Sequence, residues 1–165
     1  MRTFLITVIV IGAMLCGQAA SAAPSWQLVQ TVEVVADNNV TPLDFAFFDQ
    51  EAQGKVELSN IKNLWGAGAD MIFYVNTDNG EDRLYLNFGG GMVELRLLNK
   101  KTVLFSERVS NITSKTPLVI TIQDVKLTAE LGRRSRMVSG VESFTGNLTT
   151  QSVEAKVKAY QFVEL

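Results

Sequence analysis

The 165-residue chain contains no histidine and a single cysteine, Cys16. Without histidine there is no Ser-His-Asp triad, no Cys-His pair and no His-ligated zinc. Cys16 lies in an apolar N-terminal run that is expected to be removed, so the remaining chain can form neither a disulfide nor a Cys-ligated cluster. The chemistry left is that of carboxylates, Lys, Tyr, Ser and Thr. Charge of one sign is also missing. The formal net charge of -2 becomes -3 once Arg2 is lost, which speaks against nucleic acid, whose phosphates are met by many Lys and Arg. It speaks equally against a polybasic membrane-binding surface. No segment holds a helical apolar stripe for three turns, and there is no internal repeat, no low-complexity tract and no linker rich in Pro or Ser.

The N-terminus has three parts. Met1-Arg2-Thr3 supplies a positive start, the run from Phe4 to Leu15 is apolar but short for a bilayer, and Ala20-Ser21-Ala22 forms a small-residue exit. This is the pattern of a cleaved secretory signal peptide over residues 1–22, followed by a single domain over residues 23–165. Leu15 before Cys16 does not fit a lipoprotein signal. The expected location is therefore extracellular, or periplasmic if the source is bacterial. At 47% hydrophobic and 19% charged, the composition is that of a folded chain, and roughly 140 residues suffice for one core without disulfides.

Period-2 alternation of apolar and polar residues runs from Trp26 almost to the C-terminus and predicts an all-β fold. The clearest part is a four-strand antiparallel meander from Asp70 to Asn76, Arg83 to Phe88, Met92 to Leu98 and Thr102 to Glu107. Asn79-Gly80, Gly89-Gly90-Gly91 and Asn99-Lys100-Lys101 supply its turns. Leu84, Leu86 and Phe88 are expected to face inward, and Arg83 and Asn87 outward. Further strands are expected from Trp26 to Val35, Leu43 to Phe48, Lys55 to Ile61, Leu118 to Gln123, Val125 to Glu130 and Ser152 to Val163. The stretches Gly66 to Ala69 and Gly132 to Gly140 read as loops. About ten short strands are too many for one open layer, so the expected architecture is a two-sheet antiparallel sandwich of jelly-roll type.

The segment DMIFYVNTDNGEDRLYLNF from Asp70 to Phe88, followed by GMVELRL from Gly91 to Leu97, resembles the central strands of laminin-G-like domains in the concanavalin-type sandwich superfamily. In that pattern a strand ends in an acidic turn, leads to an x-L-x-L-x strand and then to a Gly-headed one. The stretch from Val153 to Leu165 is similar to the closing strand of such sandwiches. The cysteine found near the end of many laminin-G-like domains has no counterpart here. The resemblance implies a secreted binding or adhesion module for an extracellular glycan or protein surface, in some cases with calcium at a sheet edge.

Several residue groups are candidate sites. Asp70, Asp78, Glu81 and Asp82 fall around one expected hairpin end, and hard oxygen ligands close in space suit calcium, although their spacing matches no calcium loop and solvated turn carboxylates read the same way. Trp26, Trp65, Tyr74 and Tyr85 could stack on a sugar ring, and Trp65 is favoured by the neighbouring Gly66-Ala67-Gly68; the alternative is a place in the core. Arg133, Arg134 and Arg136 form the one basic cluster, suited to a sulfated glycan, a processing site or simply a solvated loop. Asn111 and Asn147 head acceptor triplets for N-glycosylation in a eukaryote, while Pro42 weakens the triplet at Asn39. The resemblance to concanavalin-type sandwiches implies that a carboxylate-pair glycosidase of that kind would carry its acids on alternating positions of one strand, and no such run is present; Glu33 and Glu57 stand isolated. The leading expectation is thus a non-catalytic binding module, with a self-assembling structural protein and a glycan hydrolase as alternatives.

Overall fold

The computed structural model describes residues 25–34, 41–43, 53–63, 69–108, 110, 112 and 116–163. The expected leader, Trp65 with its glycine neighbours, Asn39, Asn111 and most of the strand expected from Leu43 to Phe48 lie outside the described residues. Among the described residues no helix is long and apolar enough to cross a membrane.

Twelve strands are described: β1 (Ser25–Val34), β2 (Thr41–Leu43), β3 (Gly54–Asn63), β4 (Ala69–Thr77), β5 (Gly80–Gly89), β6 (Met92–Leu97), β7 (Thr102–Arg108), β8 (Leu118–Gln123), β9 (Lys126–Leu131), β10 (Arg134–Ser139), β11 (Val141–Gln151) and β12 (Val153–Val163). They form two six-stranded antiparallel sheets. One has the order β1-β12-β3-β8-β9-β10 and the other β2-β11-β4-β5-β6-β7. The chain changes sheet repeatedly, through Gly140 alone between β10 and β11 and through Ser152 alone between β11 and β12, so the architecture is a two-sheet antiparallel sandwich.

Alternation explains the core. Met71, Phe73 and Val75 on β4, Leu84, Leu86 and Phe88 on β5, and Val93, Leu95 and Leu97 on β6 are buried, while the residues between them face out. From the other sheet Val56 and Leu58, Ile120 and Ile122, and Val153 to Ala159 at alternate positions complete one continuous cluster. Each fully buried Leu, Ile or Phe contributes about 1.5–3 kcal/mol through removal from water, so nothing beyond this pattern is needed to hold the two layers together.

Two strands depart from expectation. Residues 132–140 are not a loop: Gly132 and Arg133 form a turn, and β10 follows. This strand carries no apolar alternation because it is an edge. Arg134 and Arg136 lie opposite Leu131 and Ala129 and therefore share their inner side, at the open margin of the sandwich. β11 was hidden by irregularities between Val141 and Ser143 and between Thr145 and Thr149, where Gly146 and Asn147 interrupt the period.

One end of the sandwich is organised by a buried carboxylate. Asp82 is 1% exposed and accepts hydrogen bonds from the backbone N–H groups of Arg83 (2.7 Å), Asn99 (2.8 Å) and Lys100 (3.2 Å). The Asn99 amide in turn donates to the Glu81 carbonyl at 2.9 Å. Lys100, held by this turn, pairs with Asp78 at 2.7 Å and donates to the Ser139 carbonyl at 3.3 Å. The Asp78 N–H donates to the Gly140 carbonyl, and the Gly140 N–H to that of Val125. Four turns are thereby joined. Gly140 must be glycine, because its φ is +72° and a Cβ there would collide with the Asp78 carboxylate.

Replacing Asp82 with Ala leaves three backbone donors without their acceptor. Asp82→Ala is expected to cost about 3 kcal/mol or more and to lower Tm by about 10 °C, measured by thermal denaturation. Glu81→Ala, which removes only an exposed side chain from the same turn, is expected to change stability by less than about 0.5 kcal/mol.

Candidate functional site

In an antiparallel ladder, residues directly opposite each other point to the same face. The register across β4, β5 and β6 therefore sets Asp70 beside Asn87 and Asn87 beside Glu94 on the outer face. The adjacent row is Ile72, Tyr85 and Arg96. Inward burial of Met71, Leu86 and Leu95 obliges these neighbours to face outward.

The outward side chains are already joined. The Tyr85 hydroxyl donates to Asp70 Oδ2 at 3.3 Å and accepts from Asn87 Nδ2 at 3.1 Å. The Arg96 guanidinium lies 5.4 Å from the Tyr85 ring centroid, and one of its terminal nitrogens is 3.2 Å from Glu94 Oε1. Its Nε is buried with no hydrogen-bond partner among the described residues. The Arg96 side chain is still 42% exposed. Burial pushes the Asp70 carboxyl above the ordinary aspartate value, and the hydrogen bond from Tyr85 pulls it back in part. The result is a half-exposed surface that offers a planar cation, an amide, a phenol and two carboxylates within three adjacent strands.

Of the residues expected from sequence, Tyr85 sits at the centre of this group and Asp70 at its margin. Tyr74 faces outward on β4 opposite Arg83. Trp65 and Asn111 lie outside the described residues, and Asn147 falls within β11. Asp78, Glu81 and Asp82 lie at the β4–β5 hairpin end as expected, but Asp70 does not. Asp70 pairs with Asn87 near the start of β4, whereas Asp78 lies in the turn beyond its far end, roughly 25 Å away along the strand. Asp82 is buried and committed to backbone N–H groups, and Asp78 is paired with Lys100. Among the described residues no group of three or more His, Cys, Asp and Glu could hold a metal ion.

The basic cluster is likewise divided. Arg133 is in a turn, Arg134 forms an ion pair with Glu107 of β7 across the margin of the sandwich, and Arg136 donates to the Ser135 carbonyl at 3.1 Å. One of the three charges is thus used within the fold, and the basic surface is weaker than the sequence run implies. Asn87, Glu94 and Arg96 were not singled out in the sequence. Their outward alternation was legible; what was missing was the strand register that makes them neighbours of Tyr85.

No protein-family model matches the chain. No curated protein matches it either. Among solved structures, the chain is similar to the crystal structure of Caenorhabditis elegans galectin LEC-6, with a TM-score of 0.46 and 8% sequence identity over 78% of this chain and 95% of that chain.

The sign of the Asp70 shift is testable. A carboxyl with a raised folded-state pKa favours the protonated fold, so its contribution is fully present below the unfolded value and is lost as pH rises through the folded value. NMR titration is expected to show Asp70 titrating above free aspartate, and further up in Tyr85→Phe, which lacks the donor that holds it down. Asp70→Asn is expected to remove that decline from the stability profile.

Proposed function

We propose that the chain is an exported, non-catalytic binding module that recognises a hydroxyl-rich extracellular glycan through the outer face of β4, β5 and β6. The observation that carries this reading is Arg96, stacked on Tyr85 and flanked by Glu94, Asn87 and Asp70. Sugar hydroxyls each donate and accept, so a surface that recognises them needs planar donors and acceptors held rigidly side by side. β-strands hold such groups better than loops do. The hydrogen bonds from Tyr85 to Asp70 and from Asn87 to Tyr85 fix the rotamers before any ligand arrives, which lowers the ordering cost of binding.

Asp70 and Glu94 stand on either side of Asn87, about 10 Å apart by strand spacing. One is hydrogen-bonded to a phenol and the other ion-paired to a guanidinium, so both serve as oriented acceptors. The leader-like N-terminal pattern agrees with a secreted protein. The laminin-G-like pattern from Asp70 to Leu97 spans these same three strands, and a protein surface is the second class of ligand that it implies.

The test is a glycan array probed with protein purified from cells expressing the full sequence. Saturable binding to a defined glycan is expected, with Arg96→Ala and Asn87→Ala each weakening it by about tenfold to a hundredfold, the worth of a hydrogen bond to a charged or well-oriented group. Binding that survives both substitutions would move the site off this face. Release of a shortened glycan would show hydrolysis and overturn the non-catalytic reading.

A further inference from the structure

Among the described residues the two sheets have four edges, and three of them carry features that discourage another strand from pairing. β2 is three residues long and contains Pro42. β10 turns Arg134 and Arg136 toward the inner side of its edge. β7 is broken by a bulge opposite Leu95 and Arg96 and ends in Glu107 and Arg108. The fourth edge is β1, ten residues long, whose sequence SWQLVQTVEV has no Lys, Arg or Pro and one charge, Glu33. Among the described residues it pairs only with β12.

We infer that β1 pairs antiparallel with β1 of a second copy of this chain, joining the two β1-containing sheets across a two-fold axis. The bulge between Leu28 and Gln30 makes the strand self-complementary. Trp26 and Leu28 before it, and Thr31 and Glu33 after it, all share the outer face, because their partners Phe162, Tyr160, Lys158 and Lys156 alternate with buried Ala159, Val157 and Ala155. In an unbulged strand, a register that overlaps all ten residues would set outer positions against inner ones. Here the same full overlap places Trp26 opposite Glu33 of the partner subunit and Leu28 opposite Thr31 of the partner subunit, face matching face.

Charge and apolar surface fit the same register. The Lys55 ammonium lies 5.4 Å from the Trp26 ring centroid and 4.2 Å from that of Tyr160, and it meets no carboxylate among the described residues. Pairing brings Glu33 of the partner subunit alongside Trp26 and so toward this ammonium. The Glu33 side chain pairs with Lys156 of its own copy at 3.2 Å but is still 68% exposed, which leaves its carboxylate room to bridge a second ammonium. Leu28 and Val29, 54% and 45% exposed, fall at the two-fold axis, where an interface is best shielded from water. Trp26 and Phe162, with ring centroids 5.1 Å apart, flank them. The interface leaves the outer face of β4, β5 and β6 open on the opposite sheet of each copy.

Sedimentation velocity across a dilution series, on protein purified from cells expressing the full sequence, is expected to show a concentration-dependent dimer. Leu28→Lys and Glu33→Lys are each expected to raise the dimer dissociation constant by about tenfold or more, while Met137→Lys on β10 leaves it unchanged. Combining Glu33→Lys with Lys55→Glu is expected to restore the dimer. If Leu28→Lys fails to fold by circular dichroism, Leu28→Cys with Thr31→Cys provides the alternative, and oxidation should link two copies into a covalent dimer. A protein that is monomeric at every concentration would overturn the inference. So would a dimer indifferent to the β1 substitutions, or one in which the cysteine pair never crosslinks.

Discussion

Burial of a carboxylate is normally unfavourable, and Asp82 is tolerated because three backbone N–H groups converge on it. That requirement ties the β4–β5 hairpin to the β6–β7 turn. Lys100, placed by the same turn, reaches Asp78 and the Ser139 carbonyl and so draws in the β10–β11 corner. Gly140 bonds onward to Val125, between β8 and β9, in the other sheet. The apolar core holds the two sheets together, and the one-residue links at Gly140 and Ser152 join them covalently. The polar network pins their relative position at one end, and with it the rows of side chains on both outer faces.

The two faces carry different chemistry from one inward pattern. Between β4 and β6 the outward positions around Tyr85 are polar apart from Ile72, and Asp70, Tyr85 and Asn87 are already hydrogen-bonded to one another, a preorganised surface suited to a polar ligand. On the opposite sheet, β1, β12 and β3 present aromatic rings around Lys55, with Tyr160 donating to Glu57 at 3.2 Å. Burial and the nearby Glu57 carboxylate both push the Tyr160 phenol above its ordinary value, so it remains a donor at neutral pH. This face mixes aromatic rings with the ion pairs Lys156–Glu33 and Lys158–Glu57, and its ring-bearing end adjoins the β1 edge. The surface proposed for a glycan and the edge proposed for a second copy thus belong to different sheets.

Much of the fold was legible because the period-2 signal reports burial directly. The meander from β4 to β7 and the strands β3, β8, β9 and β12 all fall within a few residues of expectation. β10 escaped because an edge strand with Arg134 and Arg136 on its inner side has no apolar alternation to read. β11 escaped because irregular pairing around Gly146 and Asn147 breaks the period. The site was legible only in part. Tyr85 stood out by residue type, but Asn87, Glu94 and Arg96 acquire meaning through register, which alternation does not encode. Asp70 falls away from the acidic hairpin for a related reason: residues close in sequence along an extended strand move apart at about 3.3 Å each, so Asp70 and Asp78 end far from each other.

The assignment of the polar face is tested most directly by amide chemical-shift mapping during titration with a glycan that binds. The expected result is that the largest shifts fall on residues 70–74, 83–88 and 92–97, with those of β1, β12 and the Arg133–Arg136 stretch unmoved. Shifts concentrated on that stretch, or on the aromatic face around Trp26 and Tyr160, would contradict it.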